Sequence, residues 1–156
     1  MQNRWVKILL WIIFFQIIGA YLGVITQNNI HPWYDNLTKS SLTPPAILFA
    51  IVWPILYVLL ALAAYLLWQN RLNQKVKPAL YCFITQMLMN WAWSPIFFQF
   101  QWLAFSLILI LTLTLLTLAT IFFAKDTIRT ISLLLMPYSL WLVFASYLNG
   151  YIWFFN

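Results

Sequence analysis

Charged residues are scarce in this sequence of 156 residues, where two acidic and eight basic side chains make up 6% of the chain. A soluble domain usually carries about 25% charged residues. A domain of this length keeps a large share of its residues in contact with water, so one core could not hide a composition that is 65% hydrophobic. The composition therefore excludes a soluble domain and predicts a protein whose solvent is lipid.

Residues that build catalytic or metal sites are equally few. His31 is the only imidazole, and no Cys or Glu flanks it, so a metal site and a Ser–His relay both lack their parts. The single cysteine, Cys82, excludes an intrachain disulfide, and no Gly-rich phosphate loop is present. We expect no metal, no required cofactor and no acid–base catalytic residue. His31 is interpreted as a structural loop residue, with a functional role as the alternative.

Long uncharged runs organise the chain. The longest, Pro78 to Ala124, would extend about 70 Å as one helix at roughly 1.5 Å per residue, more than twice the roughly 30 Å of a hydrocarbon core. The segment 94–102, SPIFFQFQW, offers the break because it holds a proline and two glutamines. We predict an all-α, integral membrane five-helix bundle in one domain, 1–156. Its transmembrane helices are expected at about 5–26, 46–69, 79–98, 103–124 and 131–153.

The basic residues are distributed asymmetrically between the predicted loops. Seven of the eight fall on the side of the N-terminus, and only Lys39 falls on the other. This is the bias of short cytoplasmic loops toward positive charge, so it predicts a cytoplasmic N-terminus and a C-terminus outside. The net charge of +6 is therefore explained by topology, and we expect no nucleic-acid partner.

The first loop, 27–45, is the only long one, and we expect it to be a lid over the bundle. It contains the adjacent aromatics Trp33 and Tyr34, which suit a lid, although Trp33 alone also fits an aromatic belt at the membrane interface. Pro44 and Pro45 close the loop, and Pro45 is expected to open the second helix.

Three predicted helices each carry a stripe of aromatic, amide and small residues spaced about four apart. Polar side chains inside hydrocarbon face the bundle interior or a cavity. One interpretation is interhelical hydrogen bonding by Asn and Gln, and the other is a ligand pocket with indole and phenol walls. Asn90 and Asn149 fit both. The stripes are Phe49, Trp53 and Tyr57; then Gln86, Asn90, Trp93 and Phe97; then Pro137, Trp141, Ala145 and Asn149.

Gly19 and Gly23 form a G-x-x-x-G in the first helix. The motif permits close helix contact. It serves either packing within one chain or dimerisation.

Specific motifs succeed one another between residues 33 and 153: Trp33-Tyr34, Thr43-Pro44-Pro45, Val52-Trp53 with Leu56-Tyr57, Gln86, Asn90 to Phe98, Pro137-Tyr138, Trp141, Phe144-Ala145, Tyr147-Leu148-Asn149 and Trp153. In this order and spacing the chain resembles the tryptophan-rich sensory protein family, also called translocator protein or TspO.

The resemblance implies a five-helix bundle, usually dimeric, whose ligand cavity is capped by the loop after the first helix. Family members bind protoporphyrin IX and haem, and animal members also bind cholesterol and benzodiazepine-type drugs. The chain departs from the family at Lys39-Ser40, where Lys-Pro is common, which predicts a looser lid. It also lacks the basic residue after Tyr147 or Tyr151 that the C-terminal sterol motif needs.

The leading functional prediction is thus a membrane receptor or sensor for tetrapyrroles, with the bilayer, a flat apolar ligand and a second copy of the chain as partners. One alternative is an enzyme that degrades porphyrin with light and oxygen, for which the resemblance implicates Trp53 and Trp141. Another is a transporter, although the predicted spans have no buried ionisable residue to couple ion movement. The predicted ligand-binding residues are Trp33, Tyr34, Pro44, Pro45, Trp53, Tyr57, Asn90, Trp93, Trp141, Ala145 and Asn149.

Overall fold

Five long helices make up the computed structural model, which describes residues 3–156. The predicted all-α, five-helix fold is confirmed, and residues 3–156 contain no strand. A short 3₁₀ turn, Tyr34–Asn36, lies in the first loop. The helices are α1 (Arg4–Asn28), α2 (Ala46–Gln69), α3 (Lys77–Ser94), α4 (Leu103–Ala124) and α5 (Arg129–Phe155).

Four of these helices, all except α3, are long and apolar enough to cross a bilayer. The third is the shortest, with 18 residues, and it is less apolar because it contains the amides Gln86 and Asn90. Both amides are turned inward, at 0% and 5% exposure. The polar groups of α3 are therefore covered by neighbouring helices rather than by lipid, as membrane helices require.

The third helix does not continue as an α-helix to residue 98, where its span was expected to end. It changes at Pro95 into a π-helical turn, Pro95–Gln99, closed by a hydrogen bond of 2.9 Å from the Phe100 N–H to the Pro95 carbonyl. Gln101 then takes a positive φ of 59°, and α4 begins two residues later. The break expected in 94–102 is thus a tight reversal between antiparallel neighbours.

The helices pack side by side in the order α1, α2, α5, α4, α3, and α3 returns to contact α1. The first helix lies at the periphery, since Phe15 is its only buried residue. It is held by the Gln16 side-chain amide, which donates to the Pro54 carbonyl at 2.8 Å. The hydroxyls of Thr26 and Ser94 share a second hydrogen bond of 2.6 Å.

The two glycines of the first helix have different surroundings. A Cβ on Gly19 would lie 2.9 Å from Cδ2 of Tyr57, whereas a Cβ on Gly23 would meet nothing within 4 Å. Gly19 therefore serves close packing of α1 on α2 within one chain. Gly23 takes no part in that contact.

Candidate functional site

Aromatic side chains from the first loop rest on the end of α3 and its π-helical turn. Trp33 and Tyr34 meet the buried ring of Phe97 edge-on, with ring centroids 5.8 and 6.2 Å away. On α3, Trp93 stacks on the same ring at 5.0 Å and an interplanar angle of 19°. The structure thus brings three predicted ligand-binding residues, Trp33, Tyr34 and Trp93, around Phe97. The sequence analysis placed Phe97 on the stripe of the third helix but not among the ligand-binding residues.

The loop is fastened to α5 at two points. The Thr38 N–H donates to Oδ1 of Asn156 at 2.8 Å, and the Asn156 Nδ2 donates back to the Thr38 carbonyl at 3.1 Å. The buried Ser40 hydroxyl shares a hydrogen bond of 2.9 Å with the Tyr147 hydroxyl. Ser40, which stands where the family commonly has proline, is therefore an anchor of the loop.

Lys39 stabilises the turn that carries Tyr34. Its ammonium donates to the carbonyls of Tyr34 and Asp35 at 2.7 and 3.0 Å and lies 4.8 Å from the centroid of the Tyr34 ring. Burial raises the pKa of the Tyr34 phenol, and the negative charge of Asp35 raises it further. His31 pairs through Nδ1 with the same Asp35, which is consistent with a structural role in the loop.

Asn149 links three helices below this aromatic cluster. The indole N–H of Trp93 donates to Asn149 Oδ1 at 3.1 Å, and Asn149 Nδ2 donates to the Leu103 carbonyl at 3.4 Å. Asn149 is 2% exposed. Both ends of its amide are therefore engaged in interhelical hydrogen bonds.

Asn90 occupies the centre of a second network that joins α2, α3, α4 and α5. The Tyr57 hydroxyl donates to Asn90 Oδ1 at 3.1 Å, and Asn90 Nδ2 donates to the Tyr138 hydroxyl at 2.8 Å. Tyr138 and Thr117 donate in turn to Gln86 Oε1 at 3.1 and 3.4 Å. Tyr57 and Asn90 thus stabilise the packing of the helices through hydrogen bonds. Tyr138 and Thr117 escaped the sequence prediction because a hydroxyl within an apolar run carries no distinctive pattern.

The buried indole N–H of Trp141 has no hydrogen-bond partner within residues 3–156, and the same holds for Gln86 Nε2, the Trp91 indole N–H and the Thr43 hydroxyl. The Trp141 ring meets Phe49 of α2 edge-on at 5.5 Å. Ala145 follows one turn later, half-buried against the core. Trp53 lies on the stripe of α2 that includes Phe49, with its ring 5.8 Å from that of Tyr57.

The two prolines that close the loop lie at the start of α2. Pro44 is half-buried and Pro45 is exposed. Pro45 caps the helix with extended backbone, so it precedes the first helical residue rather than forming it. Within residues 3–156, neither proline makes a hydrogen bond to the aromatic cluster of Trp33, Tyr34, Trp93 and Phe97.

Two cavities of the described chain lie away from the predicted residues. One, of about 130 Å³, is lined by Trp11, Trp68 and Trp91 among other apolar side chains of α1, α2 and α3. The other lies between α1, α2 and α5. Neither is lined by any of the eleven predicted ligand-binding residues. Within residues 3–156, no group of three His, Cys, Asp or Glu residues is placed to hold a metal ion.

Comparison with known proteins agrees with this architecture. A profile of the TspO/MBR family matches residues 10–154. The tryptophan-rich protein TspO of Archaeoglobus fulgidus is 34% identical over 141 residues, which cover 89% of this chain and 90% of that protein. The TspO of Bacillus cereus is 31% identical over 93% of this chain and 95% of its own length. The human translocator protein is 32% identical over 87% of this chain and 82% of its own length. The chain therefore belongs to the TspO/MBR family of membrane proteins.

Proposed function

We propose that this protein is a membrane receptor or sensor that binds a tetrapyrrole, protoporphyrin IX or haem, between α2, α3 and α5 beneath the loop 27–45. The observation that carries the proposal is the unpartnered, buried indole N–H of Trp141. A buried donor without an acceptor costs about 1–3 kcal/mol. A propionate oxygen of a porphyrin would accept this hydrogen bond and remove that cost.

The side chains around Trp141 suit a flat apolar ligand. Phe49 and Trp53 lie on one stripe of α2, and the Phe49 ring already contacts Trp141. The methyl group of Ala145, one helical turn from Trp141, leaves space that a larger side chain would fill. Aromatic rings of this kind bind a macrocycle through stacking and burial without a charged anchor.

Ligand entry requires the loop to move away from the bundle. The hydrogen bonds that hold the loop to α5 are weak enough to allow this movement. The loop is attached to α5 by the neutral hydrogen bonds at Thr38 and Ser40. Each such bond contributes about 0.5–1.5 kcal/mol. The loop therefore opens at modest cost while α2, α3 and α5 keep their buried contacts.

Absorbance titration of the purified protein with protoporphyrin IX tests the proposal. Trp141→Phe keeps an aromatic ring but removes the N–H together with part of the indole, so we expect it to weaken binding about tenfold. Trp153→Phe is the matched control, because Trp153 is 48% exposed on the same helix. Equal affinities for the wild type and both variants would refute a role for the Trp141 N–H.

Light-dependent porphyrin degradation is the second candidate function, favoured by the contact of Trp53 with Tyr57, which places two oxidisable rings 5.8 Å apart. Aerobic illumination of the porphyrin complex would be followed by loss of porphyrin absorbance. Degradation that requires Trp53 and Trp141, and stops in Trp53→Phe and Trp141→Phe at saturating ligand, would establish it. Equal bleaching in all three proteins would leave the receptor function alone.

We also propose a homodimer that uses the outer face of α1. This face is apolar and exposed, with Ile13, Ile17 and Tyr21 at 45%, 65% and 66% exposure. Ile17→Asn, at the centre of this face, should shift the protein toward monomer in light scattering of the detergent-solubilised protein. An unchanged mass would place the dimer contact on another face.

A further inference from the structure

A cavity of about 200 Å³ lies at the end of the bundle where α1 and α5 begin and α2 ends. Each of the three helices contributes lining residues three or four positions apart, so one face of each helix borders the cavity. The lining divides by chemistry into apolar and polar parts. Ile8, Leu62, Leu66 and Leu134 are apolar, whereas Arg4, Tyr65 and Thr130 are polar.

Positive charge dominates this end of the molecule. Of the two acidic residues in the sequence, Asp35 lies in the loop at the opposite end, where it pairs with His31. Within residues 3–156 no carboxylate pairs with Arg4, and only Asp126 lies at the same end of the bundle. The first turns of α1 and α5 add the positive ends of two helix dipoles, which outnumber the one negative end that α2 brings to the same cavity. An anion at this cavity would therefore meet positive potential with little competition from the chain.

The polar lining residues are hydrogen-bond donors. Tyr65 is only 6% exposed, and its hydroxyl has no hydrogen-bond partner in the described part of the chain. Thr130 supplies a second hydroxyl from the first turn of α5. A guanidinium with neighbouring hydroxyls matches the acceptor oxygens of a phosphate group. The leucine and isoleucine side chains beside them match a hydrocarbon chain.

We propose that this cavity is a binding site for an anionic phospholipid. The phosphate lies at Arg4, with Tyr65 and Thr130 as further donors, and one acyl chain follows the apolar lining from Ile8 to Leu134. The apolar part of the lining suits an acyl chain, and the polar, positively charged part suits a phosphate. Together they favour this ligand. The site is separate from the space around Trp141, so it is independent of tetrapyrrole binding.

Native mass spectrometry of the intact detergent-solubilised protein tests the site, with phosphatidylglycerol and phosphatidylcholine of identical acyl chains as probes. We expect the first phosphatidylglycerol to bind about tenfold more tightly than phosphatidylcholine, and Arg4→Gln to abolish this preference. Tyr65→Phe should weaken the first phosphatidylglycerol by about threefold, as loss of one neutral hydrogen bond does. Lys75→Gln is the charge-matched control, since Lys75 is exposed and does not line the cavity.

Several results would overturn the proposal. If Arg4→Gln and Lys75→Gln reduced the affinity for phosphatidylglycerol equally, the lipid would be attracted to the basic surface in general and not to this cavity. Equal affinity of the two lipids for the wild type would mean that no headgroup is recognised. Displacement of the bound lipid by millimolar inorganic phosphate would identify a site for free anions instead. Circular dichroism of each variant confirms that it is folded, so an altered affinity reports on the site.

Discussion

The ring of Tyr57 fills the space beside Gly19, where a Cβ would lie 2.9 Å from Cδ2 and 3.0 Å from Cε2. Tyr57 cannot turn away freely, because its hydroxyl donates to Asn90 in the network at the centre of the bundle. The close approach of α1 to α2 therefore depends on the missing side chain at residue 19. The peripheral first helix is thereby coupled to the polar core.

Replacing this glycine should destabilise the bundle. Gly→Ala raises intrinsic helix stability at both positions of the motif, so the comparison of Gly19→Ala with Gly23→Ala cancels that gain. We expect Gly19→Ala to be less stable than Gly23→Ala by roughly 1–3 kcal/mol, the usual cost of overpacking. Thermal unfolding of the two variants in one detergent measures the difference. Equal melting temperatures would show that Tyr57 yields without cost.

Enlarging Ala145 should reduce tetrapyrrole affinity. Ala145→Leu adds three carbon atoms beside Trp141, and overpacking of about 1–3 kcal/mol corresponds to a loss of roughly five- to a hundredfold in affinity. Ala104→Leu, at an exposed position of α4, is the control for added bulk. Melting temperatures with and without porphyrin separate two roles. A destabilised apo protein with intact affinity would make Ala145 a helix-packing residue.

Alkaline pH should loosen the first loop through Tyr34. The pKa of its phenol is raised above 10.0, first by burial and then by Asp35. The stabilisation by the neutral phenol is therefore complete below pH 10.0 and is lost as the pH rises through the higher folded pKa. Protease cleavage within 27–45 should accelerate above pH 10.0 in the wild type and less so in Tyr34→Phe. Tyr21→Phe, exposed on α1, should behave as the wild type does.

The distribution of the basic residues predicts the orientation of the chain. If positive charge sets topology, a reporter fused before Met1 should be active in the cytoplasm and one fused after Asn156 should be active outside it. The charge bias can be moved by Arg71→Gln, Lys75→Gln and Lys77→Gln together with new lysines in the first loop. This change should reduce the fraction of molecules that have the N-terminus in the cytoplasm. Two termini on the same side would contradict five spans.

The helices themselves were readable from the sequence because charge and proline mark their ends. The second helix starts after Pro45 and ends before Arg71, and α4 ends before Lys125. The order in which the helices pack was not readable, since every span is apolar on several faces and lipid tolerates each of them. The buried amides Gln86 and Asn90 were recognisable as inward-facing.

The hydrogen-bond partners of these amides were less predictable. Tyr138 donates to Gln86 and accepts from Asn90, but a tyrosine within an apolar helix fits a membrane interface equally well. Asn149 was predicted to fit both a ligand pocket and interhelical hydrogen bonding, and in the structure its amide binds Trp93 and the Leu103 carbonyl. Spacing along a helix identifies the face on which a residue lies, and only the neighbouring helices decide which acceptor it meets.

The π-helical turn at Pro95–Gln99 bears on how this chain tolerates a change in length. A π-turn holds one residue more than the α-helical turn it replaces, so deletion of one residue before Phe97 would convert it to an α-helical turn and leave the following chain in register. The first loop already contacts both phenylalanines, since the centroid of the Tyr34 ring lies 6.2 Å from that of Phe97 and 5.4 Å from that of Phe98. Because residues 97 and 98 are both phenylalanine, the loop would still pack on a benzyl ring after such a deletion.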